Sequence, residues 1–154
     1  MARMTNENFQ MKNGKWLLLV LALWSASCSS SNQGVGVYPK AVGAADEGSA
    51  IQSLGTIATA QAQLKATQGV YGTFEALTQA GFLDTRFAGS TPNLRGYRFT
   101  MNATDSAFSV TADPQTTETQ PTTGSRHFYL DSTDNAVHFS TNQTASRNDP
   151  VLGG

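Results

Sequence analysis

The chain has 154 residues and a formal net charge of −1, and 39% of its residues are hydrophobic against 14% that are charged. A chain of this length and balance forms one modest domain, and it lacks the clustered basic charge that nucleic-acid binding requires. Its single cysteine excludes an internal disulfide and a cysteine-based metal site, so we expect packing alone to stabilise the fold.

The first element is a short apolar segment with the layout of a secretory signal. Residues 16–24 are Trp-Leu-Leu-Leu-Val-Leu-Ala-Leu-Trp, preceded by lysines and followed by small residues that lead to Cys28. This segment is far shorter than the ~20 residues that span a bilayer as a helix. The pattern predicts a signal peptide over residues 1–27, with translation starting at Met11. A buried core helix is the alternative at this length, and the flanking charges oppose it.

A cysteine at the first position of the processed chain resembles the lipobox of bacterial lipoproteins, whose thiol is lipidated before the signal is removed. The resemblance implies a covalent lipid on Cys28 and a place in the cell envelope. Ser29 after the cysteine favours the outer membrane over the inner membrane, with the domain facing the periplasm or the cell surface. We expect no other cofactor.

The next segments are a tether and a helix. Residues 28–45 are rich in glycine and serine, which predicts a flexible tether, and the folded domain is predicted over residues 46–141. The domain begins with a helix of about 20 residues that ends at Gly69 and carries one apolar stripe. The stripe consists of Ile51, Leu54, Ile57, Ala58, Ala62 and Leu64.

A second, short helix is predicted between Thr73, which can cap its N-terminus, and Gly81, which ends it. Residues 85–95 have no periodic pattern and are predicted as a loop. The second half of the chain alternates apolar with polar residues, which is typical of strands with one buried face. Four such strands are predicted, over residues 97–102, 108–112, 127–130 and 137–140.

Two strand registers keep every apolar side chain on the same face of the sheet. Met101 is predicted to pair with Phe108, and Leu130 with Val137. The polar segment 113–124 is predicted as an exposed connection, and residues 142–154 as a loose tail. Together these elements predict an α+β fold, in which an N-terminal long helix packs on a four-stranded antiparallel sheet.

The order of motifs adds a resemblance over residues 46–140. A long helix is followed by Tyr-Gly-Thr-Phe-x-x-Leu-x-x-x-Gly-Phe-Leu, Gly-Tyr-x-Phe-Thr, Phe-x-Val-x-Ala-x-Pro and Arg-x-Phe-Tyr-x-Asp. The residues that carry these motifs are Tyr71, Gly72, Phe74, Leu77, Gly81, Phe82, Leu83, Gly96, Tyr97, Phe99, Phe108, Val110, Ala112, Pro114, Arg126, Phe128, Tyr129 and Asp131. This order resembles the globular head of type IV pilin-like proteins and type II secretion pseudopilins. The N-terminus departs from that family, because its apolar run is short and separate from the head. The resemblance therefore implies a pilin-like head on a lipid anchor rather than a standard filament subunit.

A partner-binding face is predicted around the strands. It consists of Arg95, Tyr97, Arg98, Arg126 and Tyr129, and we expect reversal of the charges of Arg98 and Arg126 together to weaken binding without unfolding. The alternative is that these are ordinary side chains of a solvated sheet. His127 and His138 are predicted on the open side of the sheet as surface residues, because Tyr129 and Asp131 are too few further ligands for a metal.

No serine lies in a motif that frames a nucleophile, so no catalytic residue is predicted. The sequence predicts a non-enzymatic, membrane-anchored envelope lipoprotein that mediates protein–protein or surface interaction. The alternative is an accessory subunit of a type IV pilus, a type II secretion machine or another envelope complex. The expected partners are the membrane, through the lipid, and envelope proteins, with no nucleic acid and no small-molecule substrate.

Overall fold

The computed structural model describes residues 37–115 and 124–154. Helix α1 spans Val37–Gln68, helix α2 spans Phe74–Gln79, and one turn of 3₁₀ helix spans Thr85–Phe87. The strands are β1 Asn93–Leu94, β2 Tyr97–Ala103, β3 Phe108–Pro114, β4 His127–Asp131 and β5 His138–Ser140. The predicted signal peptide, Cys28, the start of the tether and most of the 113–124 connection lie outside the described residues.

Helix α1 begins at Val37, inside the segment that was predicted as a flexible tether. The prediction is wrong for residues 37–45, because the three alanines among them have the highest helix propensity and outweigh the single glycine, Gly43. Among residues 41–68 of α1, the buried residues lie between Gly43 and Leu64. The helix ends where predicted, before Gly69, whose φ of 76° is favourable only for glycine.

The core lies between the two helices and one face of an antiparallel sheet. Leu54 and Ile57 of α1 and Leu77 of α2 are fully buried there, together with Phe99 and Phe128 of the sheet. The Gln61 amide, also fully buried, joins the helix to the following turn, because it donates to the Gly72 carbonyl at 2.6 Å and accepts from the Gly72 N–H at 3.0 Å. The described residues thus form an α+β fold with one core.

The predicted four-stranded sheet is wrong, because the sheet formed by the described residues has five strands in the order β1-β2-β3-β4-β5. The additional strand, β1, lies in the segment predicted as a loop and is only two residues long. It pairs with β2 across a two-residue turn at Arg95 and Gly96, whose φ values are 46° and 75°. Two consecutive positive φ values are what a type I′ hairpin turn requires, and two residues are too few for a periodic pattern.

One of the two predicted registers is also wrong. Met101 pairs with Val110 rather than with Phe108, which pairs with Ala103, whereas Phe128 pairs with Phe139 as the second predicted register requires. The first hairpin is displaced by two residues because its turn is centred on Asp105 and Ser106, one position later than the predicted register requires, and the Thr104 N–H donates to the Ala107 carbonyl at 2.8 Å. A displacement of two residues leaves every side chain on its predicted face.

The C-terminal segment, predicted as a loose tail, is packed against β5. The Phe139 N–H donates to the Pro150 carbonyl at 3.0 Å, and the Leu152 N–H donates to the Val137 carbonyl at 2.7 Å. Ala145 is buried. The tail therefore covers the outer edge of β5, which the polar composition of the segment does not indicate. Among the described residues, no helix combines the length and the apolar character that crossing a membrane requires.

Candidate functional site

The sheet has one face that neither helix covers, and we call it the open face. Its residues alternate along the strands with the buried core residues. It consists of Arg98, Thr100 and Asn102 on β2, Ser109, Thr111 and Asp113 on β3, His127, Tyr129 and Asp131 on β4, and His138 and Ser140 on β5. All of these side chains are polar, so this face meets either water or a polar partner.

One ion pair of the open face joins β3 to β4. His127 Nδ1 lies 2.6 Å from Asp113 Oδ1, and both side chains are about three-quarters buried. Asp113 on β3 is the register partner of Arg98 on β2. Its carboxylate hydrogen-bonds His127 instead of Arg98. The Arg98 side chain is exposed, and its guanidinium has no hydrogen-bond or ion-pair partner within residues 37–115 and 124–154.

Asp131 is the centre of a second polar cluster at the end of β4. Its Oδ2 accepts from the Tyr129 hydroxyl at 2.8 Å and from Arg147 Nε at 2.9 Å, while its Oδ1 accepts from the Thr133 N–H at 2.8 Å. Burial alone would raise the pKa of Asp131, but these hydrogen bonds, above all those from Arg147, lower it overall. Burial and the same carboxylate raise the pKa of the Tyr129 hydroxyl. Asp131 therefore stays ionised and binds the tail through Arg147.

His138 was predicted as a surface residue, and this is wrong, because the tail covers it and leaves it 4% exposed. Its Nδ1 lies 2.7 Å from the Asp149 carbonyl oxygen, and its Nε2 lies 3.0 Å from Asp134 Oδ2. Both neighbours are acceptors, so both ring nitrogens donate only when the imidazole is protonated. The hydrogen bond to Asp149 and then the carboxylate of Asp134 raise the pKa of His138, although burial opposes this.

The five residues of the predicted partner-binding face do not form one surface. Arg98 lies exposed on the open face, and Tyr129 lies there half-buried. Arg95 is in the β1–β2 turn, where it lines a groove beside α1. Tyr97 is fully buried on the core face, where its hydroxyl donates to the Arg126 carbonyl at 2.9 Å and where burial raises its pKa. The alternation of apolar and polar residues places Tyr97 on the same buried face as Phe99, and it therefore predicts the position of Tyr97 correctly, whereas the predicted partner-binding face does not.

Arg126 is held on the helix side of the sheet by Glu47 of α1. Its Nε donates to Glu47 Oε2 at 2.7 Å, and its guanidinium lies over the rings of Phe128 and Phe139 at 5.6 and 5.7 Å. Reversal of the Arg126 charge would therefore place two carboxylates together against the core. The double reversal of Arg98 and Arg126 is therefore expected to destabilise the fold, contrary to the expectation from the sequence.

The sequence did not predict the roles of Glu47, Asp131 and Arg147. Glu47 lies 79 positions from Arg126 and Asp131 lies 16 positions from Arg147, and single charged residues are normally solvated. Glu47 is 8% exposed and Asp131 5%. Residues 37–115 and 124–154 hold no group of three or more histidine, cysteine, aspartate or glutamate side chains placed to bind a metal ion.

A shallow groove lies at the end of the sheet where β2 ends and β3 begins. It has a volume of about 600 Å³ and is lined by Asn102, Ser109, Tyr129 and Asp131, and by Met101 and Ala103 at the β2 edge. Comparison with known proteins adds nothing to this geometry, because no protein-family model, no curated protein and no solved structure matches the chain.

Proposed function

We propose that this protein is a lipid-anchored component of the bacterial cell envelope that acts, without catalysis, by binding protein partners through the open face of its sheet. The observation that carries the proposal is the row of exposed polar side chains on β2. Arg98, Thr100 and Asn102 stand at every second position of a seven-residue strand and point away from the core. A rigid strand that displays an unpaired arginine and two hydrogen-bonding side chains is suited to protein recognition.

The remaining ionisable groups of the open face support binding rather than chemistry. His127 is paired with Asp113, and Tyr129 and Arg147 with Asp131. A general base or nucleophile needs a free acceptor or donor that faces a reactant. These groups instead hydrogen-bond one another, and so they keep the part of the open face next to β2 rigid.

The resemblance to a pilin-like head remains part of the proposal. A helix precedes a sheet whose strands follow one another in sequence order, and the helix packs on one face of that sheet. This arrangement supports the proposal, although the sheet has five strands where four were predicted. The lipid on Cys28 is proposed from the lipobox resemblance alone, and it would hold the head at the membrane.

Site-specific photo-crosslinking in the native host tests the proposed face. A photoreactive amino acid at Thr100, which is exposed on β2, is expected to give a discrete adduct with an envelope protein. The same amino acid at Gln63, which is exposed on α1, is the matched control and is expected to give none. The proposed face is wrong if Thr100 gives no adduct, or if both positions give the same one.

The proposed anchor has its own test. The intact mass of the protein from host membranes is expected to correspond to residues 28–154 plus diacylglycerol and an acyl chain, and Cys28→Ala is expected to abolish the addition. Both tryptophans precede Cys28, so processed protein has no tryptophan fluorescence. An uncleaved chain, or one cut elsewhere, would contradict the lipid anchor and leave the open-face proposal to its separate test.

One feature favours the second candidate function, that of an accessory subunit of a pilus, secretion or other envelope complex. The N-terminal part of α1 is exposed, with Val42 at 42%, beside exposed alanines at 41, 44 and 45. An exposed apolar helix surface suits packing against another helix. Crosslinking from Val42, in place of Thr100, distinguishes this candidate, because a machine subunit is expected to give its adduct from the helix.

A further inference from the structure

A second groove lies on the helix side of the molecule, away from the open face. One wall is a polar face of α1 formed by Ser49, Gln52, Ser53 and Thr56, at helical spacing. The opposite wall holds Arg86 and Arg95, and Phe87 and Leu94 also line the groove. Its volume of about 260 Å³ is below the ~300–1,000 Å³ typical of sites for drug-sized ligands, so it suits one small chemical group.

Arg95 occupies a backbone conformation that disfavours arginine. Its φ is 46°, in the left-handed region, where glycine, asparagine and aspartate are preferred. Its guanidinium is exposed and has no hydrogen-bond or ion-pair partner among the residues that the structure describes. An unpaired arginine in an unfavourable turn position contributes little to folding, and such backbone outliers are associated with functional sites.

Arg86 is oriented toward the same groove by its neighbour. Asp84 accepts from Arg86 Nε at 3.0 Å and from Nη2 at 2.7 Å, which leaves Nη1 without a partner in the described part of the chain. The hydrogen bonds from Arg86 lower the pKa of Asp84, so the pair stays charged. The groove therefore contains two guanidinium groups against one carboxylate, in a chain whose overall charge is negative.

The α1 wall supplies neutral donors. The Ser53 and Thr56 hydroxyls donate to carbonyls of their own helix, at 2.9 and 3.0 Å. The Ser49 hydroxyl and the Gln52 amide make no hydrogen bond within residues 37–115 and 124–154. The groove thus combines free N–H groups of arginine with a free hydroxyl and a free amide.

We propose that this groove is a carboxylate-binding site. Arg95 receives the carboxylate in the fork geometry that guanidinium and carboxylate share, Arg86 adds charge through Nη1, and Gln52 and Ser49 hydrogen-bond the atoms next to it. The carboxylate is borne either by a free small acid or by an acidic side chain of a partner protein. Because the groove lies apart from Arg98 and β2, the open-face proposal can fail without affecting this one.

Titration of the ¹⁵N-labelled full chain tests the site, with glutarate and an acetylated tetraglutamate peptide as probes. Glutaramide at equal ionic strength is the uncharged control. Saturable shifts are expected for amides in residues 49–56 and 86–95 with at least one acidic probe, and none with glutaramide. Equal binding per carboxylate assigns the site to a free acid, whereas binding of the peptide alone assigns it to a protein partner.

Two variants separate binding at the groove from general attraction. Arg95→Asn is expected to weaken binding by about tenfold or more, because it removes the fork of charged donors. It is also expected to keep or raise the thermal midpoint, since asparagine tolerates a positive φ. Lys65→Gln removes one positive charge from the C-terminal end of α1, outside the groove and the open face, and is expected to leave the affinity within about twofold. The proposal is overturned if neither acidic probe saturates, or if Arg95→Asn binds as tightly as the wild type.

Discussion

Glu47 and Arg126 join the first helix to the fourth strand across 79 positions of sequence. Glu47 Oε1 accepts from the N–H groups of Ser125 and Arg126 at 2.9 and 3.2 Å, and its Oε2 accepts from the Arg126 guanidinium. One side chain thereby fixes both the backbone and the side chain at the point where the chain enters β4. The carboxylate is mostly buried, so little water competes for these bonds.

Glu47→Gln tests this contact, because glutamine has nearly the same shape as glutamate but carries no charge. The amide cannot match both the N–H groups and the guanidinium, so we expect a loss of about 2 kcal/mol in the free energy of unfolding, measured by urea denaturation. Glu75→Gln on the exposed surface of α2 is the control and is expected to change stability by less than about 0.5 kcal/mol. Equal urea midpoints for the two variants would show that the ion pair of Glu47 and Arg126 makes no net contribution to the free energy of unfolding.

Gly124 is expected to reject any side chain. A Cβ at this position would collide with Glu47 Cγ and the Tyr97 hydroxyl, both of which are held in place. Gly124→Ala should therefore cost about 1–3 kcal/mol. Gly55→Ala is the matched change in α1, where a Cβ meets nothing within 4 Å, and it should stabilise the protein by about 0.5–1 kcal/mol. Thermal midpoints that move in the same direction for both variants would refute the proposed collision.

The two faces of β2 should respond very differently to truncation. Phe99 is fully buried, so Phe99→Ala is expected to cost about 3–5 kcal/mol. Its neighbour Thr100 is exposed on the open face, and Thr100→Ala should cost less than about 1 kcal/mol. Urea denaturation of both variants measures the difference. A similar loss for the two would mean that the open face is covered in solution.

The packing of the tail should weaken as pH rises. The pKa of His138 is raised in the folded chain, so the stability that its charge contributes is complete below about pH 6.5 and is lost as pH rises through the folded-state pKa. Asp131, Asp134, Arg147 and Tyr129, which surround it, have pKa values shifted away from neutrality and keep their charge state over this range.

Hydrogen exchange at the Leu152 amide, which bonds the Val137 carbonyl, measures this effect. Its protection factor is expected to be lower at about pH 8.5 than at about pH 5.5. In His138→Gln the difference between the two pH values should disappear, while the Phe99 amide in the sheet should show no dependence in either protein. Protection at Leu152 that rises with pH would contradict the assigned charge of His138.

The sequence predicted which side chains of the sheet are buried better than it predicted how the strands pair. Phe99, Val110 and Phe128 are all fully buried, as the alternation indicates. Alternation cannot choose between registers that differ by two residues, because both bury the same face. The position of the turn between Thr104 and Ala107 decides the register of the first hairpin, and a polar segment encodes the position of a turn poorly.

The candidate site was harder to predict because it depends on contacts between distant residues. Arg126 and Tyr97 were expected to face a partner, whereas Glu47 and the core hold them. His138 lies on the open face, as the alternation predicts. Its burial by the tail could not be predicted, because the tail has no periodic apolar pattern. Arg95 gives no signal of a type I′ turn, because arginine is uncommon where φ is positive.

The strand order has a consequence for the rate of folding. Each strand pairs with its neighbour in sequence, so the hairpins close short loops at little cost in chain entropy. The contact between Glu47 and Arg126 closes the longest of the loops described above and should form after the hairpins. Stopped-flow measurements are therefore expected to show that Glu47→Gln accelerates unfolding and hardly slows refolding. At the proposed location in the cell envelope, where an opened chain meets proteases, this carboxylate would lengthen the lifetime of the native state.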